Sequence, residues 1–157
     1  MRARMLRIGV VMLLLTAGLV FVAAQGRSSA GASIQHTCGL TDRQFIQDYE
    51  IEVEAVGMYG SDYLNGDAKA SDVIAAAEEA SRVARADNPY DPSLQTVRGL
   101  APGMFSAYAD AVRSRVQGGT AGRQMYRAYN IGARIRDVLR NAQPGLAAAG
   151  CDISNML

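Results

Sequence analysis

Two cysteines, a single histidine and scattered carboxylates, phenols and guanidiniums are the residues of this 157-residue chain that could do chemistry. Cys38 closes the stretch Gln35-His36-Thr37-Cys38, and Cys151 is followed directly by Asp152. A zinc site would have to draw on His36, Cys38, Cys151 and Asp152 together, with no CxxC or HxxxH spacing to support it. A catalytic thiol wants a base in reach, and the one histidine lies in a lead-in segment. Lipid attachment would want apolar, small residues before the cysteine, and Gln35-His36-Thr37 is neither. The first reading is therefore a disulfide, Cys38 to Cys151, with metal and thiol chemistry as its alternatives. A bridge requires the two α-carbons to stand roughly 4–7 Å apart.

Glu50 and Glu54 lie one helical turn apart and could share a metal or a proton. Metal sites in helical bundles add a Glu-x-x-His element from other helices, and none exists here, so this pair reads as a solvated acidic face. Arg123, Arg127 and Arg134 fall on one face of a fourth predicted helix, with Arg136 and Arg140 beside it. They could bind an anionic lipid, glycan or carboxylate surface, or pair with acidic helices of the same chain. Pairing is the reading the charge pattern favours: residues 41–91 carry a net −8 and residues 92–157 a net +5. Residues 33–157 together carry −3, which argues against a nucleic-acid partner.

The bulky side chains come in three groups: Met58, Tyr59 and Tyr63; Met104, Phe105 and Tyr108; Met125, Tyr126 and Tyr129. No tryptophan is present, so these groups must supply most of the bulk of a core. Gly57 and Gly60 interrupt the first group at a cost of roughly 1 kcal/mol each relative to alanine, which points to close approach of another helix or a flat ligand. Met58, Tyr59, Tyr63, Met104 and Tyr108 are the candidate ligand-binding residues. There is no nucleophile elbow, no glycine-rich phosphate loop after a strand and no set of metal ligands. The chain does not read as an enzyme.

The elements that must position these residues begin after an N-terminal segment of a different kind. Arg2, Arg4 and Arg7 precede an apolar run from Ile8 to Ala24, followed by small residues at Val22-Ala23-Ala24 and Ala30-Gly31-Ala32. This is the layout of a secretory signal, with cleavage expected after Ala24 or Ala32 and an uncleaved membrane anchor as the alternative. Residues 33–157 are then a single exported domain, secreted or held in the cell envelope. Thr41-Asp42-Arg43-Gln44 has the form of a capping box, and Phe45, Tyr49, Val53, Val56 and Tyr63 follow at helical spacing until Asn65-Gly66. Within this helix, Tyr49–Val56 alternates apolar and acidic residues as a strand would, but no turn residue flanks it. A second, alanine-rich helix shows Val73, Ile74, Ala77, Ala80 and Ala84 on one face and stops at Asn88-Pro89-Tyr90-Asp91-Pro92. Asp91 and Pro92 restart the chain as N-cap and first helical residue, and Pro102 should kink or split the third helix. Gly118-Gly119 is the next hinge, Thr120 a cap, and a fourth helix through Ile131, Ile135 and Leu139 should end at Pro144-Gly145. Four helices with short loops predict an all-α, antiparallel four-helix bundle. First and last helices are neighbours in that arrangement, and a tail folded back would bring Cys151 to Cys38.

Cys38, Ser61-Asp62-Tyr63-Leu64 and Cys151-Asp152-Ile153-Ser154 give the two ends of this domain a further meaning. The layout resembles the small, secreted, all-helical haem carriers of mycobacteria, which also place one cysteine after the signal and another near the C-terminus. The resemblance covers the two ends and nothing between about residues 90 and 145. It implies haem as a cofactor and Tyr63 as an axial ligand, phenolate being a known ligand type. Where the family has a histidine one turn after the tyrosine, this chain has Asp67. The expected function is an exported helical module holding an apolar or planar small molecule, haem- or lipid-like, between its helices. The alternative is a cell-envelope module for protein–protein interaction or structure.

Overall fold

The computed structural model of the chain describes residues 37–157, and the predicted signal, its cleavage sites and His36 lie outside them. Four α-helices follow in order: α1 (Leu40–Asn65), α2 (Ala70–Ala86), α3 (Pro92–Val116) and α4 (Gly122–Ala148), with a 3-10 turn at Ser154–Met156. The described residues contain no strand. Tyr49–Val56 is helical, as its flanks required.

Glycine sets three of the four helix ends. Gly66, Gly118 and Gly150 adopt φ of 87°, 74° and 85°, the left-handed conformation that side chains disfavour. Each lets the next residue's N–H return to a carbonyl in the last helical turn: Asp67 to Asp62 at 2.8 Å, Gly119 to Ser114 at 2.8 Å, Cys151 to Leu146 at 2.8 Å. The stop therefore falls at Gly150 rather than at Pro144-Gly145, and α4 runs on to Ala148. Pro144 is solvent-exposed, so water can satisfy the carbonyl that its missing N–H abandons. Pro102 likewise stays inside a single helix, so α3 is not split.

Two caps differ from expectation. Gly39, not Thr41, is the N-cap of α1, and its N–H donates to Asp42 Oδ2 at 3.3 Å. Thr120 caps nothing, because α4 begins at Gly122 behind Ala121 with no side-chain cap. Asp91 performs as predicted, accepting from Ser93 N at 2.7 Å and Leu94 N at 3.2 Å.

Packing is sequential: α1 against α2, α2 against α3, and α3 against α4. The α2 face is made of Val73, Ala77, Ala80 and Ala84, all buried, and Ala101 and Ala109 of α3 are buried as well. Such small side chains allow close helix approach. Phe45, Leu94, Val97, Phe105, Ile135 and Leu139 supply the bulk of the core. No comparable packing joins α1 to α4 along their length, although they should be neighbours in a closed bundle. The chain instead links them at one end. Cys38 and Cys151 are bridged, with α-carbons 5.2 Å apart, and Cys38 N donates to Ala149 O at 2.8 Å. No described helix is long and apolar enough to cross a membrane.

Candidate functional site

The space that α1 and α4 leave between them is a groove of about 570 Å³, within the ~300–1,000 Å³ range of small-molecule pockets. Tyr49, Val53, Val56 and Gly57 of α1 form one wall. Met125, Ala128, Tyr129, Gly132 and Ile135 of α4 form the other, and Met104, Phe105 and Tyr108 of α3 form the floor. The tail closes one end with Asn155, Met156 and Leu157, beyond the cysteine that anchors it. Glu50 and Arg136 are the charged residues of the lining.

Local sequence explains the shape. On the floor side α3 and α4 come closest at Gly132, where a Cβ would stand 3.3 Å from Met104 Sδ, while one on Gly103 would make an ordinary contact 3.6 Å from Ile131 Cδ1. Gly60 plays the same part for α1, since a Cβ there would collide with the Tyr108 hydroxyl. Gly57 is different. Nothing stands within 4 Å of where its Cβ would be, so one of the two glycines admits a helix and the other opens onto the groove.

The rings meet at the floor. Tyr49 packs between Phe45 and Phe105, with ring centroids 5.9 and 6.2 Å away. Burial pushes the Tyr49 hydroxyl up to about 12, and burial raises Tyr108 as well. Both phenols therefore stay neutral at physiological pH, as apolar walls with a polar tip. Tyr129 and Met125 are 64% and 42% exposed, so apolar surface continues from the groove onto its rim.

Of the five ligand-binding candidates, Met104 and Tyr108 line the groove, while Met58, Tyr59 and Tyr63 do not. Met58 and Tyr59 are exposed and Tyr63 is half-buried. Tyr49, Met125, Tyr129 and Met156 were not among the candidates. Met125 and Tyr129 lie in the bulky group of the fourth helix, and Tyr49 in the same stripe as Phe45 and Val53, so the signal was present. Only the gap between α1 and α4, which no single-helix pattern encodes, separates lining from core.

The arginine strip also departs from the favoured reading. Arg123, Arg127 and Arg134 are exposed, and none has a carboxylate within 4 Å among the described residues. Since α4 does not pack on α1 or α2, the acidic helices are out of reach. The ion pairs found are Arg113 with Glu78 and Asp110, and Arg82 with Glu79. The strip lies about half a turn round α4 from Met125 and Tyr129, away from the groove. Among the described residues no three His, Cys, Asp or Glu side chains converge as a metal site would require. Compared with family models, curated proteins and solved structures, the chain matches none of them.

Proposed function

We propose that this is an exported, non-enzymatic helical module that holds an apolar, lipid-like small molecule in the groove between α1, α3 and α4. The observation that carries the reading is the groove itself, walled by aliphatic, thioether and phenolic side chains and open along its rim. A preformed apolar gap exposed to water is costly, and filling it with an apolar ligand recovers burial at ~25 cal/mol per Å². Export is supported by the basic and apolar N-terminal pattern, and the Cys38–Cys151 bridge suits an oxidising compartment.

Haem fits this chain less well than a lipid-like molecule. Tyr63, its expected ligand, is half-buried and outside the groove, and the residue one turn on is the exposed Asp67. The groove tyrosines have no histidine among the described residues to support a phenolate. A second reading, docking of another envelope protein, is favoured by apolar residues exposed away from the groove lining: Leu64, Tyr90 and Tyr126 are 71%, 72% and 68% exposed. Bulky apolar side chains of this kind are enriched at interfaces.

Native mass spectrometry of protein recovered after secretion separates these readings. A bound apolar mass that leaves on denaturation, and is missing from Gly57→Leu, supports the carrier. Gly57 has free space at its Cβ, so leucine fills the groove without disturbing α1. A bare chain that pairs with itself or another protein favours the docking module.

A further inference from the structure

The apolar groove does not end in bulk solvent at the disulfide end. A second recess of about 440 Å³ lies beside it, and Glu50 and Asn155 line both. The other residues of this recess are Arg43, Ile46 and Gln47 of α1, with Gly150 and Asp152 behind α4. The groove is thus nearly all apolar, and the recess beside it is built of a guanidinium, two carboxylates and two side-chain amides. That polarity is the profile of an amphiphile.

We infer that the groove takes an amphiphile whose apolar tail lies between α1, α3 and α4 and whose uncharged, polyhydroxylated headgroup, of the sugar or polyol class, sits in the recess between Arg43, Gln47, Glu50, Asp152 and Asn155. The inference rests on the carrier reading of the groove and adds the chemistry of the head.

Elimination among headgroups supports it. A phosphate or carboxylate head would find Glu50 and Asp152 opposing one Arg43. Asp152 is held ionised: the Ser154 N–H and hydroxyl donate to its Oδ1 at 3.0 and 2.7 Å and lower its pKa. A quaternary ammonium head is recognised by aromatic faces, and no aromatic ring lines the recess. A primary ammonium only donates, so it makes no use of the donors of Arg43, Gln47 and Asn155. Hydroxyl groups both donate and accept, so a polyol uses the carboxylates as acceptors and the guanidinium and amides as donors. Interspersed charges of both signs are not an obstacle to a neutral head.

Four single-chain dodecyl amphiphiles provide the test: dodecyl maltoside, laurate, dodecylphosphocholine and dodecyltrimethylammonium. Each is titrated, below micelle formation, against the full mature protein carrying the neutral dye N-phenyl-1-naphthylamine. The maltoside is expected to displace the dye at about tenfold lower concentration than the other three, the worth of one or two net hydrogen bonds. Arg43→Ala and Gln47→Ala, which line the recess and not the groove, should each shrink that margin several-fold. Equal displacement by all four, or preference for a charged or zwitterionic head, overturns the headgroup inference and leaves the apolar carrier standing. Failure of the dye to bind, or binding that survives Gly57→Leu undiminished, overturns the carrier reading itself.

Discussion

The α2 side and the α4 side of this molecule flank the same central helix and solve opposite problems. Where α3 packs on α2, Ala101 and Ala109 of the one and Ala77, Ala80 and Ala84 of the other are all buried in the core. Its ends are tied by polar contacts too. Asp42, fully buried, accepts from Tyr90 N at 2.6 Å and Asp91 N at 2.9 Å, and Arg98 donates to the carbonyls of Arg85 and Asp87. On the α4 side the side chains are far larger, and yet a gap remains. Small residues let two helices meet; Met104, Tyr108, Met125 and Tyr129 reach into a space that α1 and α4 are too far apart to close. The contrast places stability in the alanine seam and its clamps, and the proposed binding in the aromatic groove.

Breaking the one covalent link between α1 and the tail should have the largest effect. The Cys38–Cys151 bridge spans 113 residues, and loop closure on that scale stabilises by about 4–5 kcal/mol. Cys38→Ser with Cys151→Ser should lower the denaturant-unfolding free energy by that order. It should also weaken dye binding, because Asn155, Met156 and Leu157 close the groove only while the tail is anchored. Unchanged binding in the double mutant would mean that the tail docks without its staple.

Removing the clamp on the closed side comes next. Asp42→Ala leaves the backbone N–H groups of Gly39, Tyr90 and Asp91 without their acceptor, at a cost of about 3 kcal/mol. Equilibrium urea unfolding reads this directly. Dye affinity of the folded fraction should hold, since Asp42 does not line the groove. A groove lost together with this clamp would show that the two sides are not separable.

Alkaline pH addresses the floor of the groove. Tyr49 ionises at about 12 in the folded protein against 10.0 for the free side chain. The unfolded chain therefore loses this proton first. The contribution of Tyr49 is intact below pH 10 and is lost as pH rises from 10 towards 12, at most about 3 kcal/mol. Tyr108, raised in the same direction, adds to the loss. Urea midpoints at pH 8 and pH 11.5 should differ less in Tyr49→Phe than in the parent. An equal alkaline loss in both proteins would place the Tyr49 hydroxyl in water rather than under the groove.

Much of the closed side was legible in the chain, because its determinants are local. Asp91-Pro92 starts α3, Gly66 and Gly118 end their helices by left-handed turns, and the alanine periodicity of α2 marks the face that α3 covers. Asp42 was visible only as part of a cap, since its partners lie 48 and 49 residues away. The groove was legible in kind but not in place. Methionine and tyrosine groups on three helices read first as bulk for a core and only second as a ligand site, and α1 and α4 show the same helical stripes whether they touch or stand apart. For the same reason opposite net charge in the two halves predicted pairs for Arg123, Arg127 and Arg134 that the spacing of the helices does not permit, while Arg113 of α3 does reach Glu78 of α2.

The two glycines of α1 give the finest test of the contrast, one turn apart and expected to respond differently to the same methyl group. At Gly57 an added Cβ meets nothing within 4 Å, so Gly57→Ala should raise stability by about 0.5–1 kcal/mol through helix propensity alone. The same methyl projects into the groove, so dye affinity should fall slightly as stability rises. At Gly60 the Cβ collides with the Tyr108 hydroxyl, and the propensity gain is offset by about 1–3 kcal/mol of overpacking. Gly60→Ala should therefore be neutral to destabilising, and combining it with Tyr108→Phe should recover the lost stability by removing the atom it strikes. A double-mutant cycle measures this as a coupling between residues 60 and 108, with none expected between 57 and 108. Equal behaviour of the two alanine variants would mean that α1 lies no nearer to α3 at Gly60 than at Gly57, and the groove would have no closed end on that side.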